Sequence, residues 1–371
     1  MGRDNLMIRV LLLQDPVTSN NWGGVQTMTQ TLQLALQEQG FEVTALPWQQ
    51  TKFVELLYEA RHSDILVASH NFGPTYSGVA LKNLARKPLV SWVHGPLLEV
   101  LQMSKASWWK RRWLKHVYRY VDRFVCVSQT TESSLLGFLS GARAQSNDSS
   151  NRGNSSSTSS GKTPRTVVIP NGLTPSTGNT ESFVSDVHTA VSTNLSLGYI
   201  GRLSQEKRPH FLLETLRALP DDAHLCVVGD GVLRPELEDA GKDLMANGRL
   251  KFLGRQVSNR NLYVPYQVTL LTSLYEGCPM TALESLACGV PCVALPIPAM
   301  RELFAQEAPY LLAHDETPQA LAIGVLNLMR LPREQVEQDM ARIVSEYSFR
   351  KFACDWESML LDLFHTTKRK S

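Results

Sequence analysis

Two glutamates, Glu276 and Glu284, are separated by seven residues in the stretch "YEGCPMTALESLACGVP". Such carboxylates can act as acid and base on one bond, or they can bind the hydroxyl groups of a ligand. Pro279 suits the first position of a helix, and Gly289 with Pro291 ends one. Glu276 is therefore predicted before a helix N-terminus and Glu284 on the helix, with free N–H groups between them. This fits a ligand whose phosphates separate two sets of hydroxyls. A capping glutamate and an exposed helical one are the simpler alternative.

Two cations follow the end of an apolar run in "GYIGRLSQEKRPHFLLE". Arg202 and Lys207 come after Gly201, where a strand is predicted to end. An arginine and a lysine at such a position can neutralise a diphosphate without a metal ion. No D-x-D motif stands at a predicted strand end, so no metal is expected there. A pair of solvated surface cations is the alternative.

A glycine pair, Gly23 and Gly24, lies between a predicted strand and the predicted helix Gln26–Gln39 in "NNWGGVQTMTQTL". Glycines there let the backbone approach an anion, which the following helix N-terminus also attracts. The alternative is an ordinary turn. The G-x-G-x-x-G pattern of dinucleotide-binding proteins is absent, which disfavours a nicotinamide oxidoreductase.

The elements that must position these residues follow a regular alternation of short apolar runs and amphipathic stretches. This alternation predicts an α/β protein with parallel sheets covered by helices. A Ser/Asn/Gly-rich stretch, 144–163, is predicted to be a flexible surface loop. The predicted strands are Ile8–Leu13, Glu42–Leu46, Asp64–Ala68, Leu89–Val93, Arg123–Val127, Leu195–Ile200, Ala223–Val228, Leu250–Leu253, Gln267–Thr272 and Pro291–Leu295.

Length and composition narrow the class of protein. The 371 residues suggest two domains. A formal net charge of +2 gives no reason to expect a nucleic-acid partner. The six cysteines form no C-x-x-C pair, which is typical of free thiols in a reducing compartment. The first apolar run is too short to span a membrane and has no cleavage site, so a cytoplasmic location is expected.

The order of the motifs, Gly-Gly, "IPNG", "GRLSQEK", "VVGDG" and "EGCPMTALE", resembles the retaining nucleotide-sugar glycosyltransferases of family 4. The resemblance covers nearly the whole chain except the Ser-rich insertion. It implies a GT-B fold, in which two Rossmann-like α/β/α domains face each other across a donor-binding cleft. The expected parts are an acceptor domain at 1–175, a donor domain at 176–350 and a C-terminal helix at 351–371 that crosses back to the first domain.

The resemblance also implies a role for single residues. Glu276 would bind the donor sugar, Glu284 the ribose, and Arg202 with Lys207 the diphosphate. His94, in "SWVHGP", would lie near the reacting sugar, although a structural histidine is the alternative. The implied catalytic set is Glu276, Arg202, Lys207 and His94. The implied donor-binding set is Gly23, Gly24, Gly201, Arg202, Lys207, Glu276, Gly277, Cys278, Pro279, Met280, Thr281 and Glu284.

The implied reaction is the metal-independent, retaining transfer of a hexose or N-acetylhexosamine to a glycan or lipid-linked acceptor. The expected pathway is cell-surface polysaccharide or lipopolysaccharide biosynthesis, and a UDP-sugar is the favoured donor. Leu173, Thr174, Gln267, Cys278 and Met280 depart from the usual family residues, so the donor sugar stays open. The alternatives are a nucleotide-sugar 2-epimerase of the same fold and a sugar-nucleotide binding protein without catalysis.

A basic aromatic stretch, "KASWWKRRWLKHVYRYVDR", is predicted to be an amphipathic helix. Trp113, Val117, Tyr120 and Val121 form its predicted core stripe, and Tyr118 is predicted on the opposite face. That face also carries the candidate acceptor or membrane residues Trp108, Arg111, Arg112 and Lys115. Aromatic and basic side chains together suit an anionic membrane surface, here the inner face of the cytoplasmic membrane. A solvated basic helix is the alternative.

Overall fold

The computed structural model describes residues 7–16, 24–141, 165–174, 195–256 and 262–369. The chain divides into two compact units. Unit 1 comprises Met1–Gly172 with Arg350–Ser371, and unit 2 comprises Leu173–Phe349. The domain boundaries expected from the sequence were 175/176 and 350/351. The Ser-rich stretch 144–163 lies outside the described residues.

Unit 1 contains a parallel six-stranded sheet in the order β2-β1-β3-β4-β5-β6. Its strands are β1 (Arg9–Gln14), β2 (Glu42–Pro47), β3 (Ile65–Ala68), β4 (Leu89–Val93), β5 (Arg123–Cys126) and β6 (Arg165–Val168). Its helices are α1 (Gly24–Glu38), α2 (Phe53–His62), α3 (Gly73–Ala85), α4 (Leu97–Met103), α5 (Trp108–Tyr118) and α6 (Gln129–Ser140).

Unit 2 contains a parallel five-stranded sheet in the order β11-β10-β7-β8-β9. Its strands are β7 (Ser196–Ile200), β8 (His224–Val228), β9 (Leu250–Gly254), β10 (Val268–Leu271) and β11 (Cys292–Ala294). Its helices are α7 (His210–Ala218), α8 (Arg234–Ala240), α9 (Lys242–Ala246), α10 (Met280–Ala287), α11 (Pro298–Phe304), α12 (Pro318–Leu328) and α13 (Arg333–Glu346).

The strands form where the sequence has continuous apolar runs, because strands covered by helices on both faces must be apolar on both faces. All four residues of β3 and all five of β4 are buried. The predicted α/β class with parallel sheets is therefore confirmed. β6 was not predicted, since it is short and follows directly on the Ser-rich stretch.

The last helix, α14 (Phe349–Lys368), packs on the sheet of unit 1. The Trp356 ring meets the Trp92 ring of β4 edge-on, with 5.1 Å between ring centroids. Arg123 at the start of β5 donates to the Asp362 carboxylate at 2.8 Å. In the described parts of the chain, no helix combines the length and the apolar character needed to cross a membrane.

Helix α5 corrects the predicted orientation of the basic aromatic stretch. Trp113 and Tyr120, predicted to be core residues, are 59% and 41% exposed, while Tyr118, predicted on the basic face, is fully buried. The buried positions are Leu114, Val117, Tyr118 and Val121, which have helical i, i+3, i+4, i+7 spacing. Burial of Tyr118 is possible because its hydroxyl donates to the Asn71 carbonyl at 2.6 Å.

Candidate functional site

In unit 2 the loop after β7 lies against the loop after β8. The Gly201 N–H donates to the Val228 carbonyl, and the Leu203 N–H donates to the Asp230 carbonyl, each at 3.0 Å. Gly229 has φ +136°, and a Cβ on it would lie 1.9 Å from the Gly201 carbonyl oxygen. Only glycine fits there. The close approach of the two loops holds the backbone on either side of Arg202.

Arg202 itself is 74% exposed, and its guanidinium lies 3.4 Å from the Glu206 carboxylate. Burial opposes ionisation of Glu206, but the Ser204 hydroxyl and nearby cations hold the pKa of Glu206 below its usual value. Arg202 is thus an exposed cation beside a partly buried carboxylate. Its exposure leaves the guanidinium free to turn toward a ligand.

Lys207 lies at the end of a short 3₁₀ turn, Gln205–Lys207, and contacts Glu276 directly. The Lys207 ammonium donates to Glu276 Oε1 at 2.5 Å, and the Ser273 hydroxyl donates to the same oxygen at 2.6 Å. Side-chain exposure is only 21% for Lys207 and 13% for Glu276. The structure therefore brings together two residues that the motifs place far apart, and it leaves Arg202 outside this pair.

Backbone contacts fix the position of this ion pair. The Thr272 hydroxyl donates to the Lys207 carbonyl at 2.6 Å, and the Leu274 N–H donates to the Glu206 carbonyl at 2.8 Å. Arg208 donates to the Thr272 and Ser273 carbonyls at 3.0 and 2.8 Å. These bonds join the turn after β7 to the end of β10, so Lys207 and Glu276 are held at neighbouring strand ends.

The helix after Glu276 begins at Met280, one residue later than predicted, with Pro279 as its N-cap residue. No described side chain caps this N-terminus. The Met280 and Ala282 N–H groups donate to the Cys278 and Pro279 carbonyls, which leaves the Thr281 N–H as the first-turn donor without a backbone acceptor among the described residues. The Cys278 and Met280 side chains pack against the core of unit 2, and Gly277 is buried between Glu276 and Cys278. Because these side chains pack inward, the backbone of the loop is the part that can contact a ligand.

Glu284 lies on α10, where the Tyr263 hydroxyl donates to its Oε2 at 2.5 Å. Burial raises the pKa of Glu284, and this hydrogen bond offsets part of the rise. Tyr263 is itself only 2% exposed. Tyr263 was not predicted from the sequence, since no spacing rule relates it to Glu284.

In unit 1, His94 follows the end of β4, and its Nε2 lies 2.9 Å from the Ser69 carbonyl oxygen. A carbonyl can only accept, so Nε2 carries the proton. Burial, together with the neighbouring His70, lowers the pKa of His94 to about 3, although the Ser69 bond opposes the shift. The imidazole is therefore neutral, with Nδ1 as a hydrogen-bond acceptor.

Two further residues near His94 were not predicted. His70 Nδ1 lies 3.9 Å from an Asp15 oxygen, and the two histidine rings are stacked with 6.3 Å between centroids. Asp15 also accepts a hydrogen bond from the Trp48 indole at 3.0 Å. These residues follow the ends of β1, β3 and β4, which are neighbours in the sheet. Comparing the residues after each predicted strand would have found them.

The glycine pair is described only in part. Gly23 lies outside the described residues, and Gly24 is the exposed first residue of α1. A Cβ on Gly24 would meet no atom within 4 Å, so packing among the described residues does not require glycine there. Within the described ranges, no group of three or more His, Cys, Asp or Glu residues could hold a metal ion.

Both units match models of one enzyme family. Residues 45–140 match Glycosyltransferase Family 4, and residues 194–330 match Glycosyl transferases group 1. The chain belongs to glycosyltransferase family 4. This confirms the family expected from the motifs. The first matched range contains His94, and the second contains Lys207, Glu276 and Glu284.

Curated glycosyltransferases match parts of this chain. A GDP-mannose-dependent α-(1-6)-phosphatidylinositol dimannoside mannosyltransferase of Mycobacterium tuberculosis is 29% identical over 203 residues, 53% of this chain and 52% of that protein. A Campylobacter jejuni α-1,4-N-acetyl-D-galactosaminyltransferase, named for a diNAcBac-PP-undecaprenol-linked acceptor, is 36% identical over 92 residues, 24% of this chain and 25% of that protein. The aligned part is 52% of the first relative's length and less in the second.

Solved structures are similar over nearly the whole chain. Anabaena HepE in complex with UDP and glucose has a TM-score of 0.71 and 17% identity, covering 96% of this chain and 100% of that one. The lipopolysaccharide outer core galactosyltransferase WaaB, in its apo form, has a TM-score of 0.65 and 16% identity, covering 96% and 99%. This similarity confirms the GT-B fold expected from the sequence.

Proposed function

We propose that this family 4 chain is a retaining glycosyltransferase that moves a hexose or N-acetylhexosamine from a nucleotide sugar to a glycan or lipid-linked acceptor. The observation that carries the proposal is that two carboxylates in unit 2 are each held in place by hydrogen bonds. Lys207 and Ser273 hold Glu276 at 2.5 and 2.6 Å, and Tyr263 holds Glu284 at 2.5 Å. Carboxylates fixed in this way are preorganised to accept from hydroxyl groups.

The donor would be bound along the start of α10. Glu276 precedes this helix and would accept from hydroxyls of the donor sugar, while Glu284 would accept from the ribose. The uncapped N-terminus between them favours the negative charge of the diphosphate. In this assignment neither glutamate is available as an acid or a base, because each binds hydroxyls.

Negative charge on the leaving diphosphate would be neutralised by cations without a metal ion. Lys207 is already in place, and the exposed Arg202 can turn to make two parallel bonds with phosphate oxygens. A preorganised donor such as Lys207 can supply about 3–4 kcal/mol of transition-state stabilisation. We propose front-face transfer, in which the bond between the anomeric carbon and the diphosphate oxygen breaks as the acceptor oxygen bonds to that carbon, and the nucleoside diphosphate leaves with the electron pair. A donor phosphate oxygen takes the acceptor proton.

His94 of unit 1 would contribute a neutral hydrogen bond. Its Nε2 proton is used by the Ser69 carbonyl, so only Nδ1 is available, and it can accept from a substrate hydroxyl. Its low pKa keeps the ring neutral at physiological pH. His94 would therefore orient a sugar and would not act as a general acid.

The relatives narrow the substrates to be tried first. HepE was solved with UDP and with UDP-glucose, while the M. tuberculosis relative is GDP-mannose-dependent. We propose a UDP-sugar as the first donor to test and a GDP-sugar as the second. The C. jejuni relative and WaaB support an acceptor in polysaccharide or lipopolysaccharide biosynthesis. Such acceptors would place the enzyme at the cytoplasmic face of a membrane.

The reaction is tested by a donor screen followed by analysis of the product. UDP-, GDP- and ADP-sugars are compared for thermal stabilisation of the protein. The stabilising donor is then incubated with lipid-linked and glycan acceptors in the presence of EDTA. Proton NMR of the anomeric region should show a glycoside with the donor's anomeric configuration. An inverted product, or loss of activity in EDTA, would contradict the proposed mechanism. Nucleotide release with a 2-epimerised sugar and no glycoside would identify the epimerase alternative.

A further inference from the structure

A second polar site lies in unit 1, at the opposite ends of the strands from His94. A pocket of about 550 Å³ opens where β4, β5 and β6 begin, beside the C-terminal part of α14. His94 and Asp15 follow the carboxyl ends of their strands, whereas this pocket lies at the amino ends. Its volume is within the range of small-molecule sites, about 300–1,000 Å³. The glycosyl transfer proposed above does not involve it.

The pocket is lined by six cations and one carboxylate. Lys82 donates to Asp122, and Arg123 donates to Asp362. The other four cations have no carboxylate partner in the part of the chain that the structure describes. They are Arg86, Lys87, Arg119 and Arg165. Four uncompensated charges around one concave surface attract anions, because field lines concentrate in such clefts.

Arg123 forms part of the pocket wall, where Asp362 holds its guanidinium. Its side chain is only 11% exposed, and its Nε is buried without an acceptor among the described residues. Arg123 and Arg165 are paired in register at the starts of β5 and β6. Two guanidinium groups on adjacent strands suit the several oxygens of one phosphate.

We propose that this pocket binds a phosphate monoester. The dianion would accept from the guanidinium groups of Arg119 and Arg165, beside the wall that Arg123 forms, and its organic substituent would occupy the remaining volume. The pocket is lined by Leu363, Thr366 and Thr367 on α14, which supply apolar and hydroxyl surface for that substituent. The phosphate can belong to a soluble metabolite or to a lipid headgroup, and the experiment separates these sources.

Binding is measured by titration calorimetry with inorganic phosphate and glycerol 1-phosphate. Co-sedimentation is measured with phosphatidylcholine vesicles that contain or lack phosphatidic acid. The test variant is Arg86→Gly with Arg165→Gln. Arg86 has φ +54°, a conformation that glycine adopts readily, so this change should leave folding intact. The matched control is Arg61→Gln, an exposed arginine on α2 outside the pocket.

We expect wild type and the Arg61→Gln control to bind a phosphate monoester equally. The double variant should bind about tenfold more weakly or worse. Tenfold corresponds to about 1.4 kcal/mol, and a charge-assisted hydrogen bond contributes at least that much. A second variant, Arg119→Gln, leaves Arg123 paired with Asp362 but removes one exposed guanidinium of the pocket, and it should also bind more weakly. Binding of the soluble ligands identifies a metabolite site, and binding only to phosphatidic acid vesicles identifies a headgroup site.

Two results would overturn the proposal. One is the absence of binding to every phosphate monoester tested, in solution and on vesicles. The other is equal binding by wild type and the double variant, which would assign the phosphate to another surface such as α5. Neither result bears on the proposed transferase reaction, because donor binding and sugar transfer are measured separately.

Discussion

At the scale of single residues, burial and hydrogen bonding set the charge of the groups that would meet substrate. Glu276 is held by a cation and a hydroxyl, and Glu284 by a buried tyrosine. His94 is kept neutral by burial. The motifs identify which residues carry the chemistry. They do not reveal Tyr263 or Ser69, because these partners come from other segments, and Ser273 lies just before the motif that contains Glu276.

Glu284→Gln is expected to increase stability at neutral pH while weakening nucleotide binding. Burial raises the pKa of Glu284 in the folded protein. Stability is therefore lost as pH rises from the unfolded-state pKa through the raised folded-state pKa. The glutamine keeps an acceptor for Tyr263 and has no charge to bury. Melting temperature should be higher for the variant at pH 7, and the difference should vanish in acid. A lower melting temperature for the variant at pH 7 would be inconsistent with a carboxylate whose ionisation is opposed by burial.

His94→Gln is expected to reduce acid sensitivity between pH 6.5 and 3. The pKa of His94 is lowered to about 3 in the folded state, so the unfolded chain binds a proton that the folded protein does not. Wild type should lose up to about 1.4 kcal/mol of stability per pH unit through this residue as pH falls. The glutamine amide can still donate to Ser69. Urea unfolding at several pH values measures the difference, and parallel pH profiles for the two proteins would argue against a buried neutral histidine.

At the scale of elements, helix α5 shows both the strength and the limit of sequence patterns. The helix and its basic character were predicted, but the predicted buried face differs from the observed one by a rotation of about one residue. Amphipathic periodicity alone could not separate Trp113 from Leu114, since both are apolar and adjacent. The hydrogen bond from the buried Tyr118 hydroxyl to the Asn71 carbonyl decides the orientation of the helix. Arg111 is also less available than predicted, because it donates to the Leu101 and Ala106 carbonyls.

The corrected orientation leaves three tryptophans of α5 on the surface, and we propose that they dock on an anionic membrane. Trp108, Trp109 and Trp113 are 60%, 64% and 59% exposed, and Lys110 and Arg112 lie among them. Replacing the three tryptophans by alanine should reduce co-sedimentation with phosphatidylglycerol vesicles several-fold without lowering the melting temperature. Tyr58→Ala, at a similarly exposed aromatic on α2, is the control. Equal vesicle binding by wild type and the triple variant would refute the docking role.

The loop contact at the end of β7 makes a second prediction at this scale. Gly229→Ala places a Cβ 1.9 Å from the Gly201 carbonyl and requires φ +136°. The unfolding free energy of unit 2 should fall on the order of 3 kcal/mol. Gly24→Ala, where a Cβ meets no atom within 4 Å, should have little effect. Chemical denaturation compares the two variants, and a Gly229→Ala protein as stable as wild type would show that the two loops can separate freely.

At the scale of the whole molecule, the alternation of apolar runs was enough to predict two parallel α/β sheets. Buried parallel strands must be apolar throughout, so their sequence signal is strong. The motifs added the family, which the family models confirm. Side-chain contacts between segments far apart in the chain were beyond reach. Lys207 and Glu276 were expected to bind different parts of the donor, yet they are in direct contact.

The central claim is that the strand ends of unit 2 bind a nucleotide sugar, and it rests on the contact between Lys207 and Glu276. The decisive measurement is calorimetric titration of the donor found in the screen into wild type, Lys207→Met, Glu276→Gln and the double variant. Lys242→Met, an exposed lysine of unit 2 paired with Asp239, is the control. We predict that each single change weakens donor binding by about tenfold or more and that the double change adds little, because paired residues are not additive. Donor binding by Lys207→Met and Glu276→Gln at wild-type affinity would contradict the account.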